Sequence, residues 1–101
     1  MHIKTMRCFV AVADYLNFSR AAESLFLSQP SLSLRIKAME KELGTELFER
    51  NRQKVMLNPT GAMLLPEVKE ILARVDGLPD KLAKDVNRTN STQPPASGGA
   101  C

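Results

Sequence analysis

Apolar residues recur at helical spacing through the first half of the chain. Between residues 3 and 16 they return every three or four positions, which is typical of an amphipathic helix. A shorter helix is predicted from Ser19, a favoured N-cap residue, to about Phe26, and a third after Ser28, another N-cap, up to Gly44. The predicted core stripe of this third helix consists of Leu32, Ile36, Met39 and Leu43. The pattern therefore predicts three packed helices.

The period changes after residue 45. Phe48, Val55 and Leu57 flank a polar tip at 51–53, which predicts a short β-hairpin. Cations alternate along this segment, and because alternate residues of a strand share a face, they form a basic face. These cations are Arg50, Arg52 and Lys54. Such a charge run is usually only a solvated face, and that alternative stays open.

A long helix is predicted from Asn58-Pro59, an N-cap followed by proline at the first helical position. Its apolar residues repeat as a heptad, which is typical of helices that pair with another helix. The predicted dimerisation residues are Leu64, Val68, Ile71, Val75, Leu78 and Leu82. Pro66 and Pro79 are candidate positions for kinks. The alternative is that these apolar residues cover only the core of their own chain.

The 101 residues suffice for one small domain, and the charge is uneven along it. Residues 1–58 carry nine Lys and Arg against six Asp and Glu, so they hold the whole net charge of +3. This balance favours an acidic partner such as nucleic acid. We expect a domain at 1–58, a dimerisation helix at 59–88 and a disordered tail at 89–101, where polar residues, Pro and Gly cannot form a core.

The order of the elements explains the unusual start of the third helix, "LSQPSLSLRI". A short helix joined by a tight turn to a longer one forms a helix-turn-helix, here about 18–37, whose second helix enters the major groove of DNA. Small hydroxyl residues allow close approach and can bond bases or phosphates. Proline at the second helical position loses no helical hydrogen bond. For Ser28 and Pro30 taken singly, the simpler alternative is that they only begin the helix.

The stretches "FVAVADYLNFSRAAESLFLSQPSLSLRIKAMEKELGTELFER" and "LNPTGAMLL" resemble the N-terminal domain of LysR-type transcriptional regulators. The resemblance runs without gaps from about residue 3 to 78. It implies a mainly α fold, a winged helix-turn-helix in which the hairpin at about 46–57 is the wing, followed by a long dimerisation helix. It also implies that a homodimer binds an interrupted palindrome in promoter DNA to control transcription.

The resemblance also implies roles for individual residues. Ser19 and Arg20 correspond to contacts with the DNA backbone, and Arg50 and Arg52 to the wing. The groove-facing positions correspond to Gln29, Pro30, Ser31 and Ser33. Glutamine suits adenine and proline suits a thymine methyl group, so we expect an A/T-containing half-site. Further candidate DNA contacts are Leu34, Arg35, Lys37 and Lys54.

The chain departs from the family pattern at two points. Where members often have "SRQI", this chain has "SLRI", so Leu34 replaces a common base-contacting arginine. Arg35 is no automatic substitute, because neighbouring helical positions point about 100° apart. Full-length regulators continue into a larger effector-binding domain, so we expect no small-molecule effector site in this chain.

Other functions find little support. We expect no catalytic residues, cofactor or metal site: His2 is the single histidine, and no P-loop or dinucleotide motif is present. Cys8 and Cys101 form no disulfide framework, and the absence of a signal peptide or long apolar run predicts a cytoplasmic protein at the bacterial nucleoid, without a membrane partner. The alternative to a DNA-binding domain is a dimerisation fragment that pairs with full-length regulators.

Overall fold

The computed structural model describes residues 1–51 and 54–88. Three helices come first, then an antiparallel hairpin and a long helix, which confirms the predicted winged helix-turn-helix. The elements are α1 (Ile3–Tyr15), α2 (Phe18–Ser24), α3 (Gln29–Leu43), β1 (Phe48–Arg50), β2 (Val55–Leu57) and α4 (Pro59–Arg88). The predicted tail at 89–101 lies outside the described residues.

One hydrophobic core joins the helices and the hairpin. The predicted stripe of α3 is confirmed for its first three residues, each at most 1% exposed. The prediction was wrong for Leu43, which is the last residue of α3 and is 39% exposed. Leu47, four residues later, is fully buried in the core instead. The buried residues are Cys8, Phe9, Ala11, Val12, Ala21, Ala22, Leu32, Ile36, Met39, Leu47, Phe48, Val68 and Leu72.

Caps fix the ends of the two helices of the helix-turn-helix. The Oδ1 atom of Asn17 accepts a hydrogen bond from the backbone N–H of Arg20 at 2.9 Å, so Asn17 is the N-cap of α2. The predicted cap, Ser19, was wrong because it is already the second residue of α2. Ser28 caps α3 as predicted, and Gly44 ends it with a φ of 74°, a conformation that glycine adopts without steric cost.

The hairpin pairs Phe48 with Leu57 and Arg50 with Val55. Its aromatic residue points inward: the ring centroid of Phe48 lies 5.6 Å from that of Phe9 in α1. Close to the tip, the backbone N–H of Asn51 donates to the carbonyl of Lys54 at 3.0 Å. The strands are therefore held to the core at their base.

Helix α4 begins at the predicted cap, where Asn58 Oδ1 accepts from the N–H of Gly61 at 2.7 Å. Pro66 and Pro79 both lie inside the helix, so neither ends it. Thirty residues correspond to a length of about 45 Å, most of the 60 Å long axis of the chain. Within the described residues, no helix combines the length and apolar character needed to cross a bilayer.

The first part of α4 packs on α1. Besides the apolar contacts, two ion pairs join these helices: Arg7 to Asp76 at 2.7 Å and Lys69 to Asp14 at 3.3 Å. All four side chains are well exposed, so each pair alone stabilises the fold little.

Candidate nucleic-acid interface

The front of α3 presents small polar side chains to solvent. Gln29, Pro30 and Ser31 are all exposed, and Pro30 stands within the first two helical positions. The Oγ of Ser28 accepts from the N–H of Ser31 at 3.2 Å and donates to the Oγ of Ser31 at 2.9 Å. The two hydroxyls thus form a local pair at the start of α3, and both residues are exposed.

A hydrogen bond joins the two helices at this point. The Oγ of Ser19 donates to Oε1 of Gln29 at 2.9 Å, although the residues are ten positions apart. Both side chains are exposed, and Arg20 beside them is exposed as well. The structure therefore brings the predicted backbone-contact residue Ser19 next to the predicted groove-facing residue Gln29.

One outward face of α3 carries Pro30, Leu34 and Lys37. Their spacing of four and three places them on the same side, away from the buried stripe. Leu34 is 69% exposed there, so the position of the usual arginine holds an apolar side chain in solvent. Ser33, one position from this face, is half-buried.

Arg35 lies on a different side of α3 from Leu34. With Lys4 and Arg7 of α1 it lines a small cavity of about 140 Å³ beside the buried Cys8. Burial raises the pKa of the Cys8 thiol, and the positive charge of Arg35 offsets part of that rise. Arg35 is thus half-buried toward α1 and does not take the place of the arginine missing at position 34.

The wing is anchored through Arg50. Its guanidinium lies 5.1 Å from the ring centroid of Phe18, and its Nη2 atom is 3.5 Å from Oε1 of Glu40. The other oxygen of Glu40 accepts the backbone N–H of Leu47 at 2.8 Å. The sequence prediction identified Arg50 but missed Phe18 and Glu40, because contacts between distant residues leave no local pattern.

A cleft of about 640 Å³ separates the second half of α3 from the base of the wing. Lys37, Lys41 and Arg50 line it together with two carboxylates, Glu40 and Glu46. Lys54 is exposed near the tip of the hairpin, whereas Arg52 lies outside the described residues. Two cations of α3 and one of the wing, Arg50, therefore share this cleft.

The turn between α2 and α3 exposes an aromatic residue at which the second helix was predicted to end; α2 in fact ends at Ser24. Phe26 is 96% exposed and has a φ of 56°. Leu25 and Leu27 on either side of it pack against the core. A positive φ at a residue other than glycine is uncommon and has no short-range sequence signal here.

The predicted dimerisation residues divide between two faces of α4. Val68 is only 2% exposed and lies in the core of its own chain, so its assignment to a surface seam was wrong. Leu72, four residues later, is buried beside it. Leu64 and Val75 are half-buried. The exposed apolar residues of the predicted seam are Ile71, Leu78 and Leu82, with 43%, 59% and 64% of their surface accessible.

Comparisons with known proteins agree with this architecture. Among characterised relatives, the transcriptional regulator IlvR of Caulobacter vibrioides is 51% identical over 80 residues, covering 79% of this chain and 27% of IlvR. The transcriptional activator AllS of Klebsiella pneumoniae is 42% identical over 79 residues, covering 78% of this chain and 29% of AllS. The chain thus spans less than a third of the length of these regulators.

Two similar solved structures contain DNA. The CbnR DNA-binding domain in its DNA complex has a TM-score of 0.81 and 29% identity, covering 85% of this chain and 99% of that one. The BenM DNA-binding domain on the benA site has a TM-score of 0.76 and 32% identity, covering 92% of this chain and all of that one. Residues 3–62 match the family of bacterial regulatory helix-turn-helix proteins of the lysR type, and the chain belongs to this family.

Proposed function

We propose that this chain binds double-stranded promoter DNA in a sequence-specific manner, as a homodimer joined through α4, and thereby controls transcription. The observation that carries this proposal is the polar front of α3, where Gln29 and Pro30 are exposed. Side chains at the start of a recognition helix are those that reach base edges in the major groove.

Charge supports contacts with the DNA backbone on both sides of that helix. Arg20 is exposed at the start of α2, and Lys37, Lys41 and Arg50 lie around the cleft between α3 and the wing. Cations on both sides of the groove-facing helix neutralise phosphates and position the domain without reading sequence. Base discrimination is then left to the front of α3.

The exposed stripe of α4 supports the dimer. Ile71, Leu78 and Leu82 lie seven and four residues apart, so they face the same side of the helix. Burial of apolar surface contributes about 25 cal/mol of stabilisation per Å², which favours pairing of two such stripes. A twofold dimer would present two copies of α3, as binding to an interrupted palindrome requires.

The same proposal makes the chain a binding protein and not an enzyme, and it implies a place at the bacterial nucleoid. The relatives IlvR and AllS are described as transcriptional regulators. Any effector response of the longer relatives would depend on the parts of those proteins that lie outside the region matched by this chain.

Selection from a randomised DNA pool, followed by mobility shift on the recovered sequence and on a scrambled copy, tests the proposal. We expect a recovered motif with two related half-sites and affinity at least tenfold above that for scrambled DNA. Raising the salt should weaken binding steeply, because each phosphate contact contributes a slope of about 0.9 in log K against log salt.

Equal affinity for selected and scrambled DNA would contradict the proposal. If the protein then still formed a stable dimer in sedimentation, the dimerisation-fragment alternative would be favoured. The exposed Leu34 in place of the usual arginine supports this alternative, because it removes a candidate base contact from α3.

A further inference from the structure

A small cavity lies between α1 and the helix-turn-helix, and its most buried part is apolar. It has a volume of about 140 Å³ and is lined by residues of α1, of the turn between α2 and α3, and of α3. Cys8 is only 2% exposed, and Leu25 and Leu27 are partly buried against the core. These three side chains form an apolar floor, which favours contact with an apolar group over contact with water.

Three cations line the same cavity, and they are Lys4, Arg7 and Arg35. The guanidinium of Arg7 is already paired with Asp76, at 2.7 Å between Nη2 and Oδ1. In the part of the chain that the structure describes, no carboxylate lies within 4 Å of the charged groups of Lys4 or Arg35. Three positive charges thus stand against one negative charge, and the lining is left with a positive excess.

Arg35 most needs a counter-charge, because it is half-buried. A charge moved partly out of water carries a free-energy cost unless a group of opposite sign is near. Its charge also reaches the apolar floor: burial raises the pKa of the Cys8 thiol, and the Arg35 guanidinium offsets part of that rise. An anion in the cavity would supply the missing counter-charge.

We propose that this cavity binds a small monocarboxylate, whose carboxylate pairs with Arg35 and Lys4 while its apolar body lies on the floor. The planar fork of a guanidinium matches a carboxylate in geometry as well as in charge. The inference does not depend on DNA binding. The expectation that this chain has no effector site concerned the larger domain of full-length regulators, whereas this cavity lies within the helix-turn-helix domain itself.

The volume and the charge of the cavity limit the ligand. An apolar cavity of about 150 Å³ accommodates benzene, so the apolar body has at most about six carbons. A ligand that carries an ammonium group would be repelled by the same cations. Inorganic phosphate would leave the apolar floor without a partner. Benzoate meets these requirements and serves as the probe, and benzamide is its neutral counterpart of nearly the same shape.

NMR titration of the whole chain with benzoate tests the proposal. We expect saturable shifts of the amide signals of the cavity residues, and intermolecular NOEs from the ring protons to the methyl groups of Leu25 and Leu27. Sodium chloride at equal ionic strength is the control for charge screening. Benzamide and inorganic phosphate should each bind at least about tenfold more weakly, because the first lacks the charge and the second lacks the apolar body.

Variants of α3 locate the binding charge. Arg35→Gln should weaken benzoate binding at least about tenfold, and Arg35→Lys, which keeps the charge but not the fork, should bind more tightly than Arg35→Gln. Lys37→Gln is the matched control, because it removes one positive charge from the same helix but its side chain lines the other cleft. It should bind benzoate as the wild type does. The thermal unfolding midpoint of Arg35→Gln shows whether this variant is folded.

Three results would overturn the proposal. They are equal benzoate affinity in a folded Arg35→Gln and the wild type, shifts that chloride or benzamide reproduces, and phosphate binding as tight as benzoate binding without any NOE to the leucine methyl groups. The last result would show that charge alone is recognised. Because no DNA is present in these measurements, their failure leaves the proposed function to its own test by DNA selection.

Discussion

Gly61 provides a sharp test of how α4 is seated on the wing. It is buried in the first turns of α4, and a Cβ atom built on it would lie 2.3 Å from the carbonyl oxygen of Leu47 and 2.7 Å from Cδ2 of Leu57. The Leu47 carbonyl also accepts the backbone N–H of Asn58 at 3.0 Å, so it cannot withdraw without disturbing the start of the helix. We expect Gly61→Ala to destabilise the protein.

Two opposing effects determine the magnitude. In an unobstructed helix interior, Gly→Ala stabilises by about 1 kcal/mol. Overpacking against a backbone atom costs about 1–3 kcal/mol. The distance from the added Cβ to the Leu47 carbonyl oxygen is shorter than Cβ atoms show in real contacts, so the neighbouring backbone must shift. The net effect for Gly61→Ala is therefore a loss of up to about 2 kcal/mol in the free energy of unfolding.

Gly77→Ala is the matched control, because Gly77 lies in the same helix and a Cβ there would meet nothing within 4 Å. It should stabilise by up to about 1 kcal/mol. Urea unfolding of both variants at equal protein concentration measures the difference, and the midpoint of thermal unfolding should shift in opposite directions. A Gly61→Ala variant as stable as Gly77→Ala would refute the close approach of α4 to the wing.

Three further perturbations test the interface and the joint between α1 and α4. Ile71→Glu with Leu78→Glu should give a folded monomer in sedimentation, because both side chains are exposed on α4; unchanged mass would place the dimer contact elsewhere. Arg50→Ala should lower the salt slope of DNA binding by about 0.9 if its guanidinium contacts phosphate, and similarly for specific and random DNA; an unchanged slope would argue against a wing contact through this residue. Hydrogen bonding from Arg7, aided by its charge, holds the pKa of Asp76 below its ordinary value. The stability it contributes is present at neutral pH and is lost as the pH falls through that lowered pKa, so Asp76→Asn should be slightly less stable than the wild type at pH 7 and equal to it in strong acid. A difference that persisted in acid would contradict this linkage.

The fold was predictable because its signals are local. The apolar stripe of α3 repeats at helical spacing, and Ser28 and Gly44 mark its ends, so pattern and caps agree. At α2 the prediction chose Ser19 as the cap, but Asn17, two positions earlier, is an equally favoured cap residue. Asn17 caps the helix, which leaves the Ser19 hydroxyl available for Gln29.

The long helix shows where periodicity stops being informative. Val68 and Ile71 fit the same heptad, yet Val68 is buried in its own core and Ile71 is 43% exposed. A helix that first covers a core and then extends beyond it carries two adjoining apolar stripes with one spacing. Only the packing of α4 on α1 separates them, and this packing joins residues that are distant in the sequence, such as Val68 and Phe9 in the same core.

The site was harder to predict than the core because the two depend on different interactions. Burial of apolar surface is additive and tolerant, so a pattern of positions is enough to predict it. Hydrogen bonds are directional, so the role of a polar side chain depends on which partner comes within about 3 Å. Arg50 against Phe18 and Glu40, and Gln29 against Ser19, are such cases. The family resemblance implied roles for Arg50, Ser19 and Gln29, but only their partners in the structure show which polar groups are already engaged and which are free for DNA.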